Sequence, residues 1–253
     1  MKTVIEGRKV TVRLGNQLVI SESNFYIPER SITAVIGPNG SGKSTLLNVA
    51  AGLLPTSSGS LRVFGMDAVQ ARTQIAYVLQ QNSVSPGIPI TVREIVSMGR
   101  YPLLGFFQRQ SEVDRAKVDE ALGLLRISDL AGRQVSDLSV GQKQRVFVAQ
   151  ALAQDHRLLF MDEPMSALDL ESARTIDDII HAEPARGCSV VFTTHDLQEA
   201  KVADHVILMS GSVIASGKPA EVLTEINLSL AFGLGRLHPE SFSQTDVFGG
   251  GHE

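Results

Sequence analysis

The sequence has little of what several large classes of protein require. Its 253 residues include a single cysteine, Cys188, which excludes an intrachain disulfide and a metal site built from cysteines. One thiol in a chain of this length suits a reducing compartment. Acidic residues number 27 and basic residues 23, a formal net charge of −4. This balance, with no basic stripe, argues against a nucleic-acid partner.

Long apolar runs are also missing. No stretch approaches the roughly 18 consecutive apolar residues that a membrane-spanning helix needs. Residues 1–15 carry charges throughout and lack the apolar core of a secretory signal. If the protein acts at a membrane, we therefore expect a partner to hold it there. Hydrophobic residues make up 43% of the chain, the proportion of an ordinary globular protein, which excludes disorder and coiled coil as the main architecture.

Short β-branched, apolar segments alternate with segments of helical periodicity. The pattern predicts strands over residues 10–12, 18–20, 31–36, 61–64, 75–79, 158–161, 190–193 and 206–209. It predicts helices over residues 45–50 and 112–126 and after Gly141, within a mostly helical stretch from about 91 to 153. Strands that alternate with helices predict an α/β fold with a mostly parallel sheet covered on both faces. The Gly-rich end, from about Gly233, is expected to fray.

A glycine-rich loop lies between a predicted strand and a predicted helix. Residues 37–44 fit the pattern G-x-x-x-x-G-K-[ST] in the context that supports a phosphate-binding loop. The glycines let backbone N–H groups turn towards one phosphate group, and the helix adds its positive N-terminal end. Lys43 is expected to reach the β- and γ-phosphates of a nucleotide, and the Ser44 hydroxyl to ligate Mg²⁺.

Two adjacent carboxylates, Asp162 and Glu163, follow the apolar strand predicted over residues 158–161. Ligands bind at the carboxyl ends of strands in open α/β sheets. One carboxylate can hold Mg²⁺ and the other can polarise an attacking water. A solvated acidic turn is the alternative, but the buried strand and the upstream phosphate loop favour the functional interpretation.

Over about residues 10–232 the chain resembles the ATP-binding subunits of ABC transporters. Five motifs carry the resemblance, and they follow the phosphate loop in the family's order. Gln80 resembles the Q-loop glutamine, and Leu138-Ser139-Val140-Gly141-Gln142 resembles the LSGGQ signature. Asp162-Glu163-Pro164 resembles the end of the Walker B motif, Ser166-Ala167-Leu168-Asp169 resembles the D-loop, and Thr194-His195-Asp196 resembles the segment that contains the switch histidine. Gln81 is the alternative Q-loop residue. The resemblance implies a P-loop NTPase fold over residues 1–232, with a mostly parallel core sheet, an antiparallel β-subdomain, a helical subdomain at about 91–153, and a partly flexible tail at 233–253.

The family's activity is ATP hydrolysis in a head-to-tail dimer. The resemblance implies that this dimer is peripheral to the cytoplasmic face of the cell membrane and drives an integral membrane permease, with a substrate-binding protein as an indirect partner. Glu163 would be the general base, and His195 would hold the γ-phosphate and the attacking water in line; Gln80 and Lys43 complete the catalytic set. Mg²⁺ would be held by Ser44, Gln80 and Asp162. The implied ATP contacts are Gly37, Pro38, Asn39, Gly40, Ser41, Gly42, Lys43, Ser44, Thr45, Leu14 and Asp169, together with Ser139, Gly141 and Gln142 of the signature. Of these, Ser139 and Gly141 would contact the ATP that is bound to the other copy in the dimer.

The chain departs from the family pattern at three places. Leu14 stands where the family has an aromatic residue that stacks on adenine, although the neighbouring Arg13 could supply a cation–π contact. Val140 replaces the first glycine of the signature. Arg30-Ser31 replaces the usual Gly-Glu before the phosphate-loop strand, which puts a turn geometry in question.

Three segments resemble the ATPases of manganese, zinc and iron importers: residues 96–102, 144–149 and 221–233. Residues 98–102 also resemble the ATPases for siderophore-bound iron, haem and cobalamin. A soluble ABC ATPase that acts as an assembly factor and an exporter ATPase are the further alternatives. The apolar segment 101–107 is interpreted either as part of a groove for the permease or as core of the helical subdomain.

Several polar residues are expected to have no functional role. Lys143 and Arg145 are predicted to lie on an exposed helix face. The same structural or incidental interpretation is given to His156, His181, His205, His238 and His252.

Overall fold

Two β-sheets form the framework of the chain. The computed structural model of the protein describes residues 2–80, 88–103 and 109–233. Strands within these residues, numbered along the chain, are β1 (Thr3–Leu14), β2 (Gln17–Pro28), β3 (Ile32–Ile36), β4 (Ser58–Val63), β5 (Met66–Asp67), β6 (Ile75–Val78), β7 (Leu158–Met161), β8 (Ser189–Thr194), β9 (His205–Met209) and β10 (Val213–Gly217). Four of them form an antiparallel sheet in the order β2-β1-β4-β5.

The larger sheet has six strands in the order β10-β9-β3-β8-β7-β6. All neighbouring pairs are parallel except β9 and β10, which confirms the predicted mostly parallel sheet. Its central strands are fully buried along their length, as strands covered on both faces should be. The first hairpin is longer than predicted, because β1 and β2 extend through residues that alternate only loosely between buried and exposed.

The described residues also contain nine α-helices. They are α1 (Lys43–Ala50), α2 (Ala68–Ala71), α3 (Val92–Met98), α4 (Glu112–Leu124), α5 (Val140–Ala153), α6 (Leu170–Ala182), α7 (Leu197–Lys201), α8 (Pro219–Val222) and α9 (Glu225–Phe232). Helices α3, α4 and α5 lie between β6 and β7 and pack against one another. Each of the three begins with a capping box, at Thr91, Ser111 and Ser139, in which the side chain satisfies a free N–H of the first turn.

The hydrophobic core lies on both faces of the six-stranded sheet. One cluster joins the sheet to α1 and the antiparallel sheet, and it includes Ile5, Ile20, Leu46 and Phe160, all nearly inaccessible to solvent. The other cluster joins the sheet to α3, α4, α5 and α6. No helix among the described residues is long and apolar enough to cross a membrane.

The prediction of an exposed Arg145 is wrong. Its side chain is buried, and its Nη1 donates to the Leu125 carbonyl at 3.5 Å. The reason is helical spacing: Gly141, Arg145 and Ala149 recur at intervals of four on the inner face of α5. Lys143, two positions earlier, is partly exposed and donates from Nζ to the Ser136 carbonyl.

The turn before β3 contains a residue in the left-handed region that is not glycine. Arg30 adopts φ 53°, in the left-handed region that favours glycine. Its N–H donates to Ser189 Oγ at 2.8 Å, and the Ser31 hydroxyl donates to the Pro28 carbonyl at 2.9 Å. Two hydrogen bonds thus hold a conformation that costs a non-glycine residue about 1–2 kcal/mol.

Some sequence predictions fall outside the described residues. These are the alternative Q-loop residue Gln81, residues 104–107 of the apolar segment, and the tail beyond Gly233 with His238 and His252. Within the described part of that segment, Tyr101 is exposed.

Candidate functional site

The strand order brings four sequence motifs to one edge of the parallel sheet. Strands β3, β8, β7 and β6 are consecutive neighbours, so their carboxyl ends lie side by side. The phosphate loop follows β3, His195 follows β8, the carboxylates follow β7, and Gln80 follows β6. Ligand sites of open α/β sheets form at this edge.

The phosphate loop is held in a curved conformation that contains two left-handed residues, Gly40 at φ 78° and Gly42 at φ 98°. A Cβ on Gly37 would lie 2.1 Å from the Met209 carbonyl oxygen, so only glycine fits there. The hydroxyl of Ser41 is buried and has no hydrogen-bond partner among the described residues. An unpaired buried donor within a loop of N–H groups fits an anionic ligand.

Lys43 begins α1 with its side chain directed back into the loop. Its Nζ donates to the carbonyls of Gly37 at 2.9 Å and Pro38 at 3.2 Å. Desolvation lowers the pKa of Lys43, and the charges of Glu163 and Asp162 partly oppose that shift. A phosphate beside this ammonium would stabilise its charge and so offset the hydration that burial removes. Ser44 and Thr45, in the same turn, are half-buried.

Thr193 connects the two carboxylate residues. Its hydroxyl donates to Asp162 Oδ1 at 2.5 Å and accepts the N–H of Glu163 at 2.8 Å. Asp162 is buried, whereas Glu163 turns out of the strand at φ 47°. Sequence reasoning missed Thr193; its signal was a hydroxyl at the end of an otherwise apolar strand, directly before the motif that contains His195.

Glu163 lies at the centre of the polar groups. Gln80 Nε2 donates to Glu163 Oε2 at 2.9 Å, and His195 Nδ1 lies 4.0 Å from the same oxygen. The side chain of His195 is 60% exposed, so its outer face is open to a ligand. The structure therefore brings together Gln80, Asp162, Glu163 and His195 as the sequence predicts.

A cleft of about 200 Å³ opens beside Glu163 and His195. Glu199, which sequence reasoning also missed, lines it and accepts the Thr194 hydroxyl at 2.5 Å. Desolvation raises the pKa of Glu199, and the Thr194 hydrogen bond partly opposes the shift. Ala167, on the same rim, has φ 57°, so the segment after Glu163 follows a tightly turned path.

The signature residues lie apart from the phosphate loop. Ser139 caps α5 by accepting the N–H of Gln142, whose side chain accepts the Ser139 N–H. A Cβ on Gly141 would lie 2.4 Å from Asp169 Oδ2, and Asp169 itself caps α6. Among the described residues, no hydrogen bond or ion pair joins this group to the phosphate loop. Contacts of Ser139, Gly141, Gln142 and Asp169 with a nucleotide stay predictions.

The first hairpin reaches the phosphate loop. A Cβ on Gly42 would lie 3.1 Å from Ile20 Cγ1 and 3.3 Å from the Val19 carbonyl oxygen. Leu14, at the tip of the same hairpin, is 46% exposed. Its neighbour Arg13 donates from Nη1 to the Asn16 carbonyl at 3.4 Å. Leu14 is thus on an exposed apolar rim, and its contact with adenine stays a prediction.

Comparison with known proteins decides the family. The profile described as "ABC transporter" matches residues 20–166. The chain belongs to this family. It is therefore a nucleotide-binding subunit that hydrolyses ATP within a transport system.

Curated relatives match this family member over nearly its whole length. It is 39% identical over 234 residues to the zinc transport system ATP-binding protein TroB of Treponema pallidum, which covers 92% of this chain and 88% of the relative. It is 37% identical over 250 residues to the manganese transport system ATP-binding protein MntB of Bacillus subtilis, covering 98% of each. It is 35% identical over 254 residues to the achromobactin transport ATP-binding protein CbrD of Dickeya dadantii, covering 97% and 94%.

Solved structures share the fold of this ATPase subunit. A chain of a metal-chelate type ABC transporter in an inward-facing conformation superposes with a TM-score of 0.81 at 29% identity, covering 92% of this chain and 90% of that one. An ATP-binding cassette in its ADP conformation gives 0.77 at 24% identity, covering 91% and 98%, and shows the fold alone.

Proposed function

We propose that this ATPase energises the import of Zn²⁺ or Mn²⁺ through a separate integral membrane permease. In this proposal it works as a head-to-tail dimer, peripheral to the cytoplasmic face of the membrane, and a substrate-binding protein delivers the metal to the permease. The convergence of Lys43, Asp162, Glu163 and His195 at one sheet edge carries the catalytic part of the proposal. The full-length similarity to zinc and manganese transport ATPases supports the choice of metal.

Nucleotide phosphates would bind to the backbone N–H groups of residues 39–45, with Lys43 Nζ moving from the loop carbonyls to phosphate oxygens. The buried, unpaired Ser41 hydroxyl supports this anion site. The Ser44 hydroxyl, the Gln80 amide and the Asp162 carboxylate at this sheet edge carry the oxygen atoms that Mg²⁺ prefers as ligands, so the residues fit that ion. When bound there, Mg²⁺ neutralises charge on the β- and γ-phosphates.

Glu163 is proposed as the general base that takes the proton of the attacking water. Thr193 fixes its backbone, and Gln80 fixes its carboxylate through Oε2. The exposed His195 ring, 4.0 Å from the same carboxylate, can turn towards the γ-phosphate. Phosphoryl transfer needs mainly this positioning and charge stabilisation.

The second copy would complete the site. Within one chain the signature residues make no hydrogen bond to the phosphate loop among the described residues, while Ser139 and Val140 are exposed at the start of α5. In a head-to-tail dimer, Ser139 and Gly141 of one copy would contact the ATP of the other. Hydrolysis would then depend on closure of the dimer.

Import of a chelated metal is the second candidate. The achromobactin relative and the metal-chelate type transporter both favour it, at 35% and 29% identity. A soluble assembly factor and an exporter remain as outcomes of the experiment below.

The test is transport in the native cell. Cells that lack the protein would be complemented with wild type or Glu163→Gln, and uptake of radioactive zinc, manganese and siderophore-bound iron would be measured. We expect wild type alone to restore uptake of the free metal ion and a tagged chain to co-purify with a multi-spanning permease. Restored chelate uptake alone would favour the second candidate. A chain found only with cytosolic partners, with no change in uptake, would contradict both.

A further inference from the structure

A buried group of three metal-ligating side chains lies at the opposite edge of the parallel sheet from the ATP site. His156 precedes β7, Cys188 precedes β8, and Glu183 follows α6. The side chains of His156 and Glu183 are 6% and 2% exposed, and Cys188 as a whole residue is 8% exposed. The candidate ligand atoms all lie within 4.8 Å of one another.

We propose that His156 Nε2, Glu183 Oε2 and Cys188 Sγ form a binding site for a borderline-soft divalent transition metal ion such as Zn²⁺. The sequence excludes a site made of cysteines alone, but not this mixed site, whose members are up to 32 positions apart. The proposed site is separate from the magnesium site at the other edge and does not depend on the proposed transport substrate.

The ligand atoms, all within 4.8 Å of one another, lie within about 1 Å of the spacing that a tetrahedral ion needs. Zinc ligands lie about 2.0–2.3 Å from the metal, which places them roughly 3.3–3.8 Å from one another. His156 Nε2 and Glu183 Oε2 are 3.0 Å apart, so they need to separate by only a few tenths of an ångström. Water from the adjoining cavity can supply a fourth ligand. That cavity, of about 650 Å³, is lined by all three side chains and gives the ion a route from solvent.

The surroundings orient the imidazole and the carboxylate towards each other, with the thiol nearby. His156 Nδ1 lies 2.8 Å from the Gln154 carbonyl oxygen, the partner that commonly fixes the second nitrogen of a metal-bound imidazole. Arg186 Nη1 lies 3.5 Å from Glu183 Oε1, which leaves Oε2 directed at the imidazole. The Cys188 N–H donates to the Glu183 carbonyl at 3.2 Å across a turn, and Cys188 Sγ donates to the His156 carbonyl at 3.3 Å, a contact that the thiolate would give up to bind an ion.

A bound metal would replace the proton that His156 holds, and the exchange would leave the net charge of the group unchanged. Burial alone would lower the pKa of His156, but hydrogen bonds with Cys188, Glu183 and Gln154 outweigh it and raise the pKa to about 10. At neutral pH the His156 imidazolium therefore faces the Glu183 carboxylate, and this ion pair carries no net charge. A divalent ion would displace the Nε2 proton and the thiol proton, and both would go to solvent. The bound group, a neutral imidazole, a carboxylate, a thiolate and the ion, would again carry no net charge.

The ligand chemistry selects among metals. Thiolate and imidazole ligands favour Zn²⁺ and Co²⁺ over Mg²⁺ and Mn²⁺, which prefer oxygen. A mixed sulfur, nitrogen and oxygen set thus separates this site from the oxygen ligands near Asp162.

Co²⁺ spectroscopy of the full chain provides the test. Because Cys188 is the only cysteine in the sequence, a thiolate-to-Co²⁺ charge-transfer band reports on this residue alone. We expect one Co²⁺ per chain to produce the band, Zn²⁺ to abolish it by displacement, and a hundredfold excess of Mg²⁺ to leave it unchanged. Metal binding in weak buffer should release about two protons per ion.

Matched variants separate this site from other histidines and carboxylates. Cys188→Ser should remove the band, and Glu183→Gln and His156→Gln should each weaken Co²⁺ binding at least tenfold, whereas the exposed His181→Gln should leave both unchanged. Circular dichroism would establish that each variant is folded. Absence of the band in folded wild type would overturn the proposal, even if a buried-site variant failed to fold. A band of equal affinity in folded Glu183→Gln and His156→Gln would do the same, since Cys188 would then bind Co²⁺ without the two other proposed ligands.

Discussion

The two edges of the parallel sheet differ in how completely their polar groups are paired, although the same strands β7 and β8 reach both. At the carboxyl edge the Ser41 hydroxyl has no partner among the described residues and His195 is 60% exposed. At the amino edge His156 and Glu183 are buried and hydrogen-bonded to each other. The first edge needs a ligand to complete it. The second is already stable in its protonated form.

The carboxyl edge has an inner layer of buried polar groups that are hydrogen-bonded to one another. It also has an outer layer of side chains that are exposed to a ligand. Thr193, Asp162 and the Glu163 backbone form a connected buried group. The groups that would touch the reacting atoms lie outside it. This arrangement agrees with a site that a nucleotide and a second copy complete.

The largest expected effect comes from Glu163→Gln. Loss of the general base should lower the ATPase rate by about 100-fold or more, while ATP binding is retained, because the amide keeps the shape of the side chain but cannot accept the proton. Steady-state hydrolysis and nucleotide binding would be measured on the same preparation. Glu199→Gln is the matched control, since this carboxylate lines the same cleft but bonds to Thr194. A rate near wild type in Glu163→Gln, or equal losses in both variants, would refute the assignment.

At the amino edge, the ion pair between His156 and Glu183 should contribute to the free energy of unfolding. His156→Ala leaves the Glu183 carboxylate buried beside Arg186 without its imidazolium, which should lower the free energy of unfolding by about 3–5 kcal/mol at pH 6 in metal-free buffer. The exposed His181→Ala should change it little. Urea unfolding would measure both.

The same pair predicts a pH dependence. The folded-state pKa of His156, about 10, is above its unfolded value of 6.5. The stabilisation is therefore fully present below about pH 6.5 and is lost as pH rises through 10. The difference in stability between wild type and His156→Ala should shrink over this window. A constant difference would show that the imidazolium is not the source of the stability.

Next in size is the effect of removing a buried hydroxyl. Thr193→Val removes the hydrogen bonds to Asp162 and to the Glu163 N–H, which should cost about 1–3 kcal/mol of stability and lower kcat more than it raises KM for ATP. Thr33→Val is the control, because Thr33 is equally buried on neighbouring β3 but its hydroxyl has no partner among the described residues. That change should be neutral or stabilising. If both variants lost the same free energy of unfolding, the hydrogen bonds of Thr193 would contribute no more to stability than an unpaired hydroxyl in the core.

Sequence patterns were sufficient for the parts of the molecule that repeat locally. Apolar, β-branched segments predicted the parallel sheet, and the glycine spacing predicted the loop before α1. Contacts between distant residues were not accessible in this way. Thr193 with Asp162, and His156 with Glu183 and Cys188, meet only because β7 and β8 are adjacent, and no spacing along the chain encodes that adjacency. The prediction for Arg145 was wrong because it followed from the charge of the side chain and not from the position of the residue on the inner face of α5.

The smallest expected effect concerns Leu14, the residue predicted to contact adenine. Leu14, at the tip of the hairpin whose Ile20 lies near Gly42, offers an exposed apolar side chain without an aromatic face. Leu14→Tyr should therefore tighten ATP binding by about 1 kcal/mol, roughly fivefold in Kd, through stacking on adenine. Leu18→Tyr is the matched control, since Leu18 has the same 46% exposure and pairs with Arg13 across the hairpin. Fluorescence titration with a labelled nucleotide would compare the two. An unchanged Kd in Leu14→Tyr, or an equal gain in Leu18→Tyr, would mean that adenine does not rest on this tip and that affinity comes from the phosphate loop alone.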